Sequence, residues 1–558
     1  MVIGRDIYDA FPRYPFTPPP ELDGRGGRVP VIIVGGGPIG LTLALGLACH
    51  GVPCTVIEPR DSASFGSRAT CTSRRSLEIW ERFGAAQPAL DMGLAWTGGS
   101  SFWHDHTVFS LAMHHDADQK HPPMINIQQC FAEQFLIDAA LEHPDIDLRW
   151  SSTVTGLKHD EDGAVVTVET AAGTYGLSSD WLVACDGAHS FVRQSLGLKM
   201  KGTSYEGRYL IADIRHSSNH PTERRAWFDP VSNPRATVLM HKQPKDIWRV
   251  DYQLRDEDDA EEELKEERVR ARISAHLEMI GEDPDYELVW MSLYKAHCLT
   301  LDSYRHGRVL FAGDAAHLVP IFGVRGLNSG IDDAGNLAWK LAAVIQGTGG
   351  DRLLDSYSEE RVFAAHENIS QARKSTLFMT PPSRGHTLLR DAALSLAVKH
   401  EFARPLVNPR QTTAIVFPAS IINTPTGLDL PGPPAGATLP TCPVEWRDGN
   451  GSGQGFLLDH VKLLPTLIQF GDHRSLLAKA SAGQGVDIVT VLDRADAAFD
   501  GFCLVDSQGR ARAVLGAESP DAGFLVRPDG HIAARWDTPD PDFISRALLR
   551  SLGLEAAA

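Results

Sequence analysis

The sequence predicts an α/β protein whose largest domain contains a parallel sheet of the Rossmann-like type. Three observations support this prediction. Strand-like and helical segments alternate along much of the chain, as parallel strands joined by crossover helices require. The first strand, VPVIIV, runs directly into the glycine-rich turn GGGPIG and the helix LTLALGLA. Residues 29–57 contain no Asp, Glu, Lys or Arg, which is typical of a strand and a helix that are covered on both sides.

The remaining elements of this domain follow from hydrophobic periodicity and from runs of β-branched residues. We expect strands at 29–34, 52–57, 164–169, 181–184 and 308–312, and helices at 41–49, 131–141 and 327–344. Short aromatic and β-branched runs such as AWFDP, TVLMH and WRVDYQL predict an inserted antiparallel sheet. Near the C-terminus, VDIVTVL, FCLVD and SRALLRSLG predict a small further α/β domain.

These patterns divide the chain into five parts. Residues 1–28 are proline-rich and predict a surface arm. Residues 29–200 and 296–385 form the discontinuous Rossmann-like domain, and residues 201–295 form the inserted sheet, to which we assign substrate binding. Residues 386–455 are a helical segment with a Pro- and Gly-rich linker, and residues 456–558 are the C-terminal domain.

Composition excludes several classes of protein. The chain has 558 residues, a net charge of −18 and 43% hydrophobic residues, so it can bury several cores. An acidic chain without a basic run argues against nucleic-acid binding. The eight cysteines contain no CxxC pair, which favours reduced thiols, no metal site and a cytoplasmic location.

The uncharged stretch 29–57 is long enough to cross a bilayer. Its glycines instead predict a buried strand, turn, helix and second strand, so we expect no membrane association. The acidic run 256–267 is open to two interpretations, a metal or partner site and the solvated start of a helix, and its continuation into RVRARISAHLEMI favours the helix.

The glycine-rich turn has the spacing of a dinucleotide-binding fingerprint. Gly35 allows the tight turn, Gly37 lets a pyrophosphate approach the backbone, and Gly40 lets the helix pack closely on the strand. Pro38 and Ile39 lie within the same turn. Glu58 ends the next strand, where a carboxylate can accept hydrogen bonds from ribose hydroxyls. These features fit FAD and NAD equally well.

Two further motifs favour FAD. Asp186 opens DGAHSFVR after the strand WLVAC, and Asp314 lies in GDAAH after RVLFA. An Asp at the carboxyl end of a parallel strand can bind a polyol chain. The helix that begins at Gly326-Leu327-Asn328 can stabilise the negative charge of a reduced isoalloxazine. NAD requires neither feature.

With these motifs in place, the sequence resembles the single-component flavoprotein aromatic hydroxylases, which include 4-hydroxybenzoate hydroxylase, phenol hydroxylase and 3-(3-hydroxyphenyl)propionate hydroxylase. The resemblance rests on GGGPIG with Glu58, SRA followed by RRSLEIW, DGAHSFVR, GRVLFAGDAAHLVP with GLNSGIDDAGNLAWKL, and LLDSYSEER. These motifs cover residues 29 to about 365.

The resemblance implies specific cofactor roles. The fingerprint glycines and Glu58 would bind the ADP half of FAD, Arg68 and Gln129 would contact the flavin or its pyrophosphate, and Asp314 would bind the ribityl chain. Asp186 and Arg193 lie in a stretch that the family uses for both FAD and NAD(P)H. The full predicted cofactor-binding set is Gly35, Gly37, Pro38, Ile39, Gly40, Glu58, Arg68, Gln129, Val154, Asp186, Arg193, Gly313, Asp314, Pro320, Gly326, Leu327 and Asn328.

The chain departs from the family pattern at two places near the flavin. Pro320-Ile321 stands where two prolines are common, and Val324-Arg325-Gly326 stands where Gly-Gln-Gly is common. Arg325 adds a cation there that could serve a substrate carboxylate or the reduced flavin. The C-terminal segment resembles the thioredoxin-like domain of phenol hydroxylase, but without CxxC it predicts a structural or dimer-contact role.

The resemblance also implies an activity. NAD(P)H would reduce FAD, O₂ would give a flavin hydroperoxide, and oxygen would be transferred to a small phenolic substrate. Whether NADH or NADPH is the electron donor remains open. Tyr252, His241 and Arg325 are the catalytic candidates. Two alternatives are a flavin oxidase or dehydrogenase without oxygen insertion and a non-catalytic FAD- or NAD-binding regulator. We expect a homodimer that binds neither nucleic acid nor metal.

Overall fold

The computed structural model describes residues 11–408, 411–425, 430–449, 451–494 and 499–554. The first ten residues of the predicted N-terminal arm lie outside this range. The first group of elements is β1 (Arg28–Val34), α1 (Pro38–Cys49), β2 (Cys54–Ile57), β3 (Cys71–Ser73), α2 (Arg74–Arg82), α3 (Gln87–Met92), β4 (Leu94–Trp96), β5 (Gly98–Trp103), β6 (His106–Ala112), β7 (Met124–Asn126), α4 (Gln129–Leu141), β8 (Ile146–Arg149), β9 (Ser152–His159), β10 (Ala164–Thr170), β11 (Gly173–Ala184) and α5 (Phe191–Ser195).

The middle of the chain is mostly strand. Its elements are β12 (Lys201–Arg215), β13 (Arg224–Phe228), β14 (Thr237–Gln243), β15 (Ile247–Leu254), α6 (Ala260–Glu263), α7 (Glu266–Met279), β16 (Glu287–Thr300), β17 (Arg305–His306), β18 (Val309–Phe311) and β19 (His317–Leu318).

The last part begins with three long helices and ends in a small α/β unit. Its elements are α8 (Gly326–Ile345), α9 (Arg352–Met379), α10 (Arg384–Lys399), β20 (Pro443–Asp448), β21 (Gly451–Phe456), β22 (Thr466–Phe470), α11 (Arg474–Ala480), β23 (Asp487–Leu492), β24 (Cys503–Val505), α12 (Arg510–Leu515), β25 (Gly523–Val526), β26 (Ile532–Trp536) and α13 (Pro541–Ser551).

The first sheet has the predicted Rossmann-like core. Its order is β17-β18-β11-β1-β2-β8, and β1 pairs in parallel with both β2 and β11. Helix α1 packs against α8 at Gly46, where a Cβ would lie 2.6 Å from the Cβ of Ala338. The predicted strands and helices of this domain all appear, with small shifts at their ends. The α/β fold class is confirmed.

The second sheet is larger than the inserted domain that the sequence predicts. Its order is β19-β16-β12-β15-β14-β13-β5-β6, and β5 pairs in parallel with β13. The boundaries 29–200 and 201–295 are therefore wrong for β5 and β6, which belong to this sheet although they precede it by about 100 residues in the chain. Pairing over such a distance leaves no local signal in the sequence.

The C-terminal sheet has the order β21-β20-β24-β23-β22-β25-β26. Strands β22 and β23 are parallel, β25 and β26 are antiparallel, and α11, α12 and α13 accompany them, so this part of the chain is α/β as expected. Its thioredoxin-like character stays a prediction. The predicted linker 386–455 contains α10 as well as β20 and most of β21, so the start of this domain at 456 is wrong. The glycines of the β20–β21 hairpin had suggested a linker.

Other expectations concern single segments. The acidic run starts two helices, since Asp259 caps α6 by accepting hydrogen bonds from two backbone N–H groups and α7 begins at Glu266. Among the described helices, none combines the length and apolar character needed to cross a membrane. All eight cysteines lie in the described ranges, and no disulfide joins two of them there.

Candidate functional site

The glycine-rich turn joins β1 to α1, and its three fingerprint glycines have different surroundings. Gly35 has a φ of 105°, and a Cβ there would lie 2.5 Å from the carbonyl oxygen of Cys185. A Cβ on Gly40 would lie 2.0 Å from the carbonyl oxygen of Gly35. Around a Cβ on Gly37, by contrast, there would be open space. The fold therefore requires Gly35 and Gly40, whereas Gly37 leaves room for a pyrophosphate.

The first turn of α1 is suited to an anion. Pro38 and Ile39 lie in this turn, which has neither a side-chain N-cap nor an acidic residue. Its free N–H groups and the positive end of the helix dipole favour a bound phosphate. Ile39 also packs against the next motif, because a Cβ on Gly313 would lie 2.9 Å from its Cγ1.

Glu58 follows β2 directly and is buried. Its Oε2 accepts a hydrogen bond from the Gly36 N–H at 2.7 Å, and its Oε1 accepts one from Nε of Arg60 at 2.7 Å. Arg60 in turn pairs with Glu133 on α4 at 2.8 Å. The sequence analysis missed Arg60 and Glu133, although a cation two residues after the strand end is a signal for such a pair. Together they hold Glu58 in the position of the predicted ribose acceptor.

A cleft of about 670 Å³ lies next to Glu58 and is lined by Arg60 and Asp61. Phe11 and Arg13 of the N-terminal arm line the same cleft. The described part of the arm therefore borders the adenosine end of the predicted site.

Asp186 follows β11 and caps α5, since its Oδ2 accepts a hydrogen bond from the Val192 N–H at 3.1 Å. Its Oδ1 is buried and accepts no hydrogen bond from the described residues. Burial raises its pKa, although hydrogen bonds from Ser190 and Val192 oppose the shift. Arg193 donates to the carbonyl of Ala315 at 3.0 Å, so it joins this motif to the loop that carries Asp314.

Asp314 lies on an exposed position of the loop after β18, yet the surrounding protein atoms raise the pKa of its carboxyl group. His317 and Arg68 act in the opposite direction on that pKa, which places Arg68 near Asp314. Gln129 begins α4, and its Oε1 accepts a hydrogen bond from the Ala69 N–H at 3.2 Å. The predicted flavin-contacting residues thus surround one loop, and their roles stay predictions.

A buried ion network that the sequence analysis missed fixes this loop. Asp333 on α8 accepts hydrogen bonds from the Gly313 N–H at 2.9 Å and from Nε of Arg361 at 2.6 Å, and its Oδ2 lies 2.7 Å from Nε2 of His317. Burial alone would raise the pKa of Asp333, but His317 and Arg361 lower it overall. The motifs GIDDAG and SEER carry these residues and were visible in the sequence.

The N-terminus of α8 lies beside the same loop. Gly326 and Leu327 form its first turn, which has no side-chain cap and no acidic residue. Asn328 is occupied internally, because its Oδ1 accepts a hydrogen bond from the Ser73 N–H at 2.8 Å and its Nδ2 donates to nearby carbonyls. Its side chain therefore fixes α8 to β3, and the backbone of this turn is what can meet a flavin. Pro320 is buried before this helix.

Val154 is buried in β9, within the core of the first sheet. Its predicted contact with the cofactor stays a prediction.

The predicted catalytic role of Arg325 conflicts with its contacts. Its Nη1 donates to Oδ1 of Asn368 on α9 at 2.7 Å, and its Nη2 donates to the carbonyl of Gln411 at 3.0 Å. Burial lowers its pKa to about 10. The guanidinium therefore joins the start of α8 to α9 and to the segment after α10, and its predicted catalytic role stays a prediction.

Tyr252 lies on the wrong face of the second sheet for the predicted catalytic role. It packs with Trp227 in the core beneath α7, and the guanidinium of Arg272 lies 5.3 Å from its ring centroid. Side chains alternate along a strand, so Arg249 and Asp251 point to the opposite face. Because Arg249 donates to the carbonyl of Ser67, that opposite face meets the cofactor domain.

The face that meets the cofactor domain carries a buried row of polar side chains. Arg224, His241, Arg249 and Asp213 are cross-strand neighbours on β13, β14, β15 and β12. Arg249 is paired with Asp213, with Nε 2.9 Å from Oδ1. Burial, with Arg224 and Arg249 nearby, holds the pKa of His241 well below its ordinary value, so its imidazole is neutral. His241 thus faces the predicted site, but its low basicity makes it a poor proton acceptor.

Asp251 is the titratable group of this face that the sequence analysis missed. Burial raises its pKa to about 7, Asp213 adds to the shift, and Arg249 and Arg224 oppose it. Its Oδ1 accepts no hydrogen bond from the described residues. A carboxyl group with this pKa can exchange a proton near neutral pH.

An apolar cavity of about 490 Å³ lies between this face and helix α9. Phe228, Phe322, Phe378 and Met379 line it. Arg224 is the charged residue in the described part of its lining. Its aromatic wall is typical of a site for a small aromatic molecule.

The residues present fit FAD. Gly37 leaves space at the N-terminus of α1, and Glu58 is held at the predicted ribose position. Asp186 has a buried oxygen that accepts no hydrogen bond from the described residues. Asp314 and the uncapped start of α8 lie on a second loop that the first sheet presents at the same edge. The fold and the site therefore define a flavin-binding protein of the Rossmann-like class.

Comparison with known proteins places the chain within that class. The profile of the FAD binding domain family matches residues 28–372, and the chain belongs to this family. FAD is accordingly its cofactor. The chain is 30% identical over 372 residues to the 3-(3-hydroxy-phenyl)propionate/3-hydroxycinnamic acid hydroxylase of Mycobacterium avium (strain 104), covering 65% of this chain and 63% of that protein. The enzyme of the same name from Escherichia coli (strain K12) is 28% identical over 365 residues, with 65% and 64% coverage. The match thus spans less than two thirds of these relatives.

Solved structures extend the similarity over the rest of the fold. The flavin-dependent monooxygenase PieE, in complex with FAD and substrate, superposes with a TM-score of 0.79 at 23% identity over 95% of this chain and 100% of that one. The anhydrotetracycline hydroxylase OxyS from Streptomyces rimosus gives 0.71 at 27% identity, with 94% and 99% coverage. The resemblance to flavoprotein aromatic hydroxylases is confirmed.

Proposed function

We propose that the protein is an FAD-dependent monooxygenase that uses NAD(P)H and O₂ to hydroxylate a small phenolic compound. The observation that carries this proposal is the aromatic-lined cavity, to which the segment before α8 contributes Phe322. The relatives named as hydroxylases of hydroxyphenyl compounds support the same activity.

The cofactor residues divide the work of holding FAD. The turn at Gly37 and the start of α1 would hold the pyrophosphate, Glu58 the ribose, and Asp314 the ribityl chain. When bound, FAD would supply the redox chemistry that oxidation of NAD(P)H and activation of O₂ require. The uncapped N-terminus of α8 would stabilise negative charge on the reduced ring.

The second sheet would hold the substrate and keep water out. The aromatic ring of the substrate would lie among Phe228, Phe322 and Phe378, where apolar walls exclude solvent from the reacting carbon. Asp251 is better suited than His241 to take the phenolic proton, since the pKa of Asp251 is about 7. Loss of that proton raises electron density at the ring carbons ortho and para to the oxygen.

The first test is a spectral and kinetic one. Purified protein should be yellow, and its NAD(P)H oxidation should accelerate with one member of a panel of hydroxylated benzoates, phenylpropionates, resorcinols and simple phenols. A hydroxylated product should then appear by mass spectrometry. Protein that binds FAD but shows no phenol-stimulated NAD(P)H oxidation would instead support a non-catalytic regulator.

Location and assembly are part of the proposal. The eight cysteines are spread along the chain without a CxxC pair, which supports a reducing compartment such as the cytoplasm. We propose a homodimer, which size-exclusion chromatography with light scattering would test.

A further inference from the structure

Arg224 is a buried cation without a hydrogen-bond acceptor in the described part of the chain. Its side chain lines the apolar cavity, and the residue is 7% exposed. Neither Nε nor Nη1 has a hydrogen-bond partner among the described residues. A buried guanidinium in this state lowers the stability of the protein, because it has lost its hydration without gaining an acceptor.

The neighbours of Arg224 do not neutralise it. His241 on the adjacent strand β14 is neutral. On the next strand, β15, Arg249 forms an ion pair with Asp213. Asp251 and Cys71 are acidic groups close enough to affect the pKa of Arg224, but neither is its hydrogen-bond acceptor. Burial dominates and lowers the pKa of Arg224. Among the described residues, no anionic group accepts a hydrogen bond from Nε or Nη1 of Arg224 at this end of the cavity.

Arg225, the next residue on β13, provides a comparison, because protein side chains hold its guanidinium. Arg225 points to the opposite face, where its guanidinium lies 5.2 Å from the ring centroid of Phe102 and 5.1 Å from that of Trp227. It is also paired with Glu223 at 3.4 Å. Nε of Arg225 also has no hydrogen-bond partner among the described residues, but two aromatic rings and an acidic side chain hold its guanidinium. Arg224, by contrast, lines a cavity.

We propose that Arg224 binds an anionic oxygen of the aromatic substrate, either a carboxylate or an ionised phenol. The planar guanidinium can donate two parallel hydrogen bonds to such a group, and the apolar walls strengthen them. This proposal rests on the proposed function in one respect, namely that the molecule bound in the cavity at Arg224 is the substrate. It also replaces Arg325, which the sequence had suggested for a substrate carboxylate.

Binding to the oxidised, FAD-loaded enzyme tests the proposal with two matched pairs of probes. One pair is 3-hydroxybenzoate and 3-hydroxybenzamide; the other is 4-nitrophenol at a pH where it is ionised and 4-nitroanisole. Perturbation of the flavin absorbance reports the Kd. Arg224→Met should weaken binding of the ionised member of at least one pair by about 10- to 100-fold and leave its neutral partner within about threefold. The pair that responds distinguishes a carboxylate from a phenolate.

Arg225→Met is the matched control and should leave the preference for the ionised members unchanged. Two further readouts separate substrate binding from a structural role. Arg224→Met should retain FAD, and its Tm without substrate should equal or exceed that of the wild type, because an unpartnered buried charge is removed.

The proposal is overturned if wild-type enzyme prefers the ionised member of neither pair, or if Arg224→Met weakens both members of each pair equally or neither of them. Loss of FAD from this variant would also overturn it, since Arg224 would then serve the cofactor. Wild-type enzyme that binds the ionised probes through Arg224 but hydroxylates no phenol would contradict the proposed activity and leave the role of Arg224 intact.

Discussion

Oδ2 of Asp333 lies 2.7 Å from Nε2 of His317, and the same oxygen accepts a hydrogen bond from the N–H of Gly313 at 2.9 Å. A buried carboxylate on α8 thus fixes the loop that presents Asp314. Arg361 on α9 completes the network through its bond to the other oxygen of Asp333. Residues outside the predicted cofactor-binding set therefore help to determine where the predicted ribityl-binding carboxylate lies.

Replacement of this carboxylate should weaken cofactor binding. Asp333→Asn keeps the size of the side chain but leaves Arg361 and His317 without its charge, at a cost of about 3 kcal/mol in the free energy of unfolding. The purified variant should contain less FAD per chain and should lose its flavin absorbance on dilution. Asp355→Asn is the control, because Asp355 pairs with Arg305 at an exposed position. Full FAD retention in Asp333→Asn would contradict the assignment.

The fingerprint glycines should separate into two kinds. Gly40→Ala should lower the Tm, since its Cβ would lie 2.0 Å from the carbonyl oxygen of Gly35. In Gly37→Ala the new Cβ would lie in open space, so the Tm of the FAD-free protein should not change. The affinity for FAD should fall, because the Cβ would occupy the space predicted for the pyrophosphate. Thermal unfolding of FAD-free protein and a titration with FAD measure the two effects. Normal FAD affinity in Gly37→Ala would show that the pyrophosphate lies elsewhere.

Asp251 should make stability depend on pH. Its pKa is about 7 in the folded chain against 3.8 when unperturbed, so its favourable contribution is complete below pH 3.8 and is lost as the pH rises to about 7. Asp251→Asn should therefore gain stability over the wild type between pH 5 and pH 8, by about 2–3 kcal/mol. Urea unfolding at both pH values measures this difference. Asp256→Asn, at an exposed position nearby, is the control, and an equal offset at the two pH values would contradict the shifted pKa.

The C-terminal domain should depend on one buried ion pair for its attachment. Arg527 donates to both oxygens of Glu360 on α9, at 2.6 and 2.9 Å, and both residues are buried. Within the described part of the chain, Arg527→Met would leave Lys340 as the one cation paired with Glu360, and we expect a loss of about 3–5 kcal/mol in the free energy of unfolding. Arg474→Met, which removes an exposed pair with Asp472, should change little. Equal Tm values for the two variants would show that the attachment depends on other contacts.

The cofactor half of the site could be predicted from the sequence because its signals are local. Gly35, Gly37 and Gly40 follow a strand directly, and Asp186 and Asp314 each follow another. Parallel strands end at one edge of a sheet, so such residues meet without knowledge of the rest of the fold.

The substrate half could not be predicted in the same way. Tyr252 and Asp251 are neighbours in the chain, and only the packing of α7 on one face of the sheet decides which of them meets the cofactor domain. Arg224 and Arg225 pose the same choice on β13. The contacts of Arg325 depend on Asn368 and Gln411, which are distant in sequence and share no motif with it.

The central claim is that the protein inserts an oxygen atom into a phenol, and isotope labelling tests it most directly. The FAD-loaded enzyme is given NAD(P)H and the phenol that best stimulates its oxidation under ¹⁸O₂, and the product is analysed by mass spectrometry. Our account predicts one ¹⁸O atom in each hydroxylated product molecule. Phenol-stimulated NAD(P)H oxidation with no labelled product would contradict it and would identify a flavin oxidase or dehydrogenase instead.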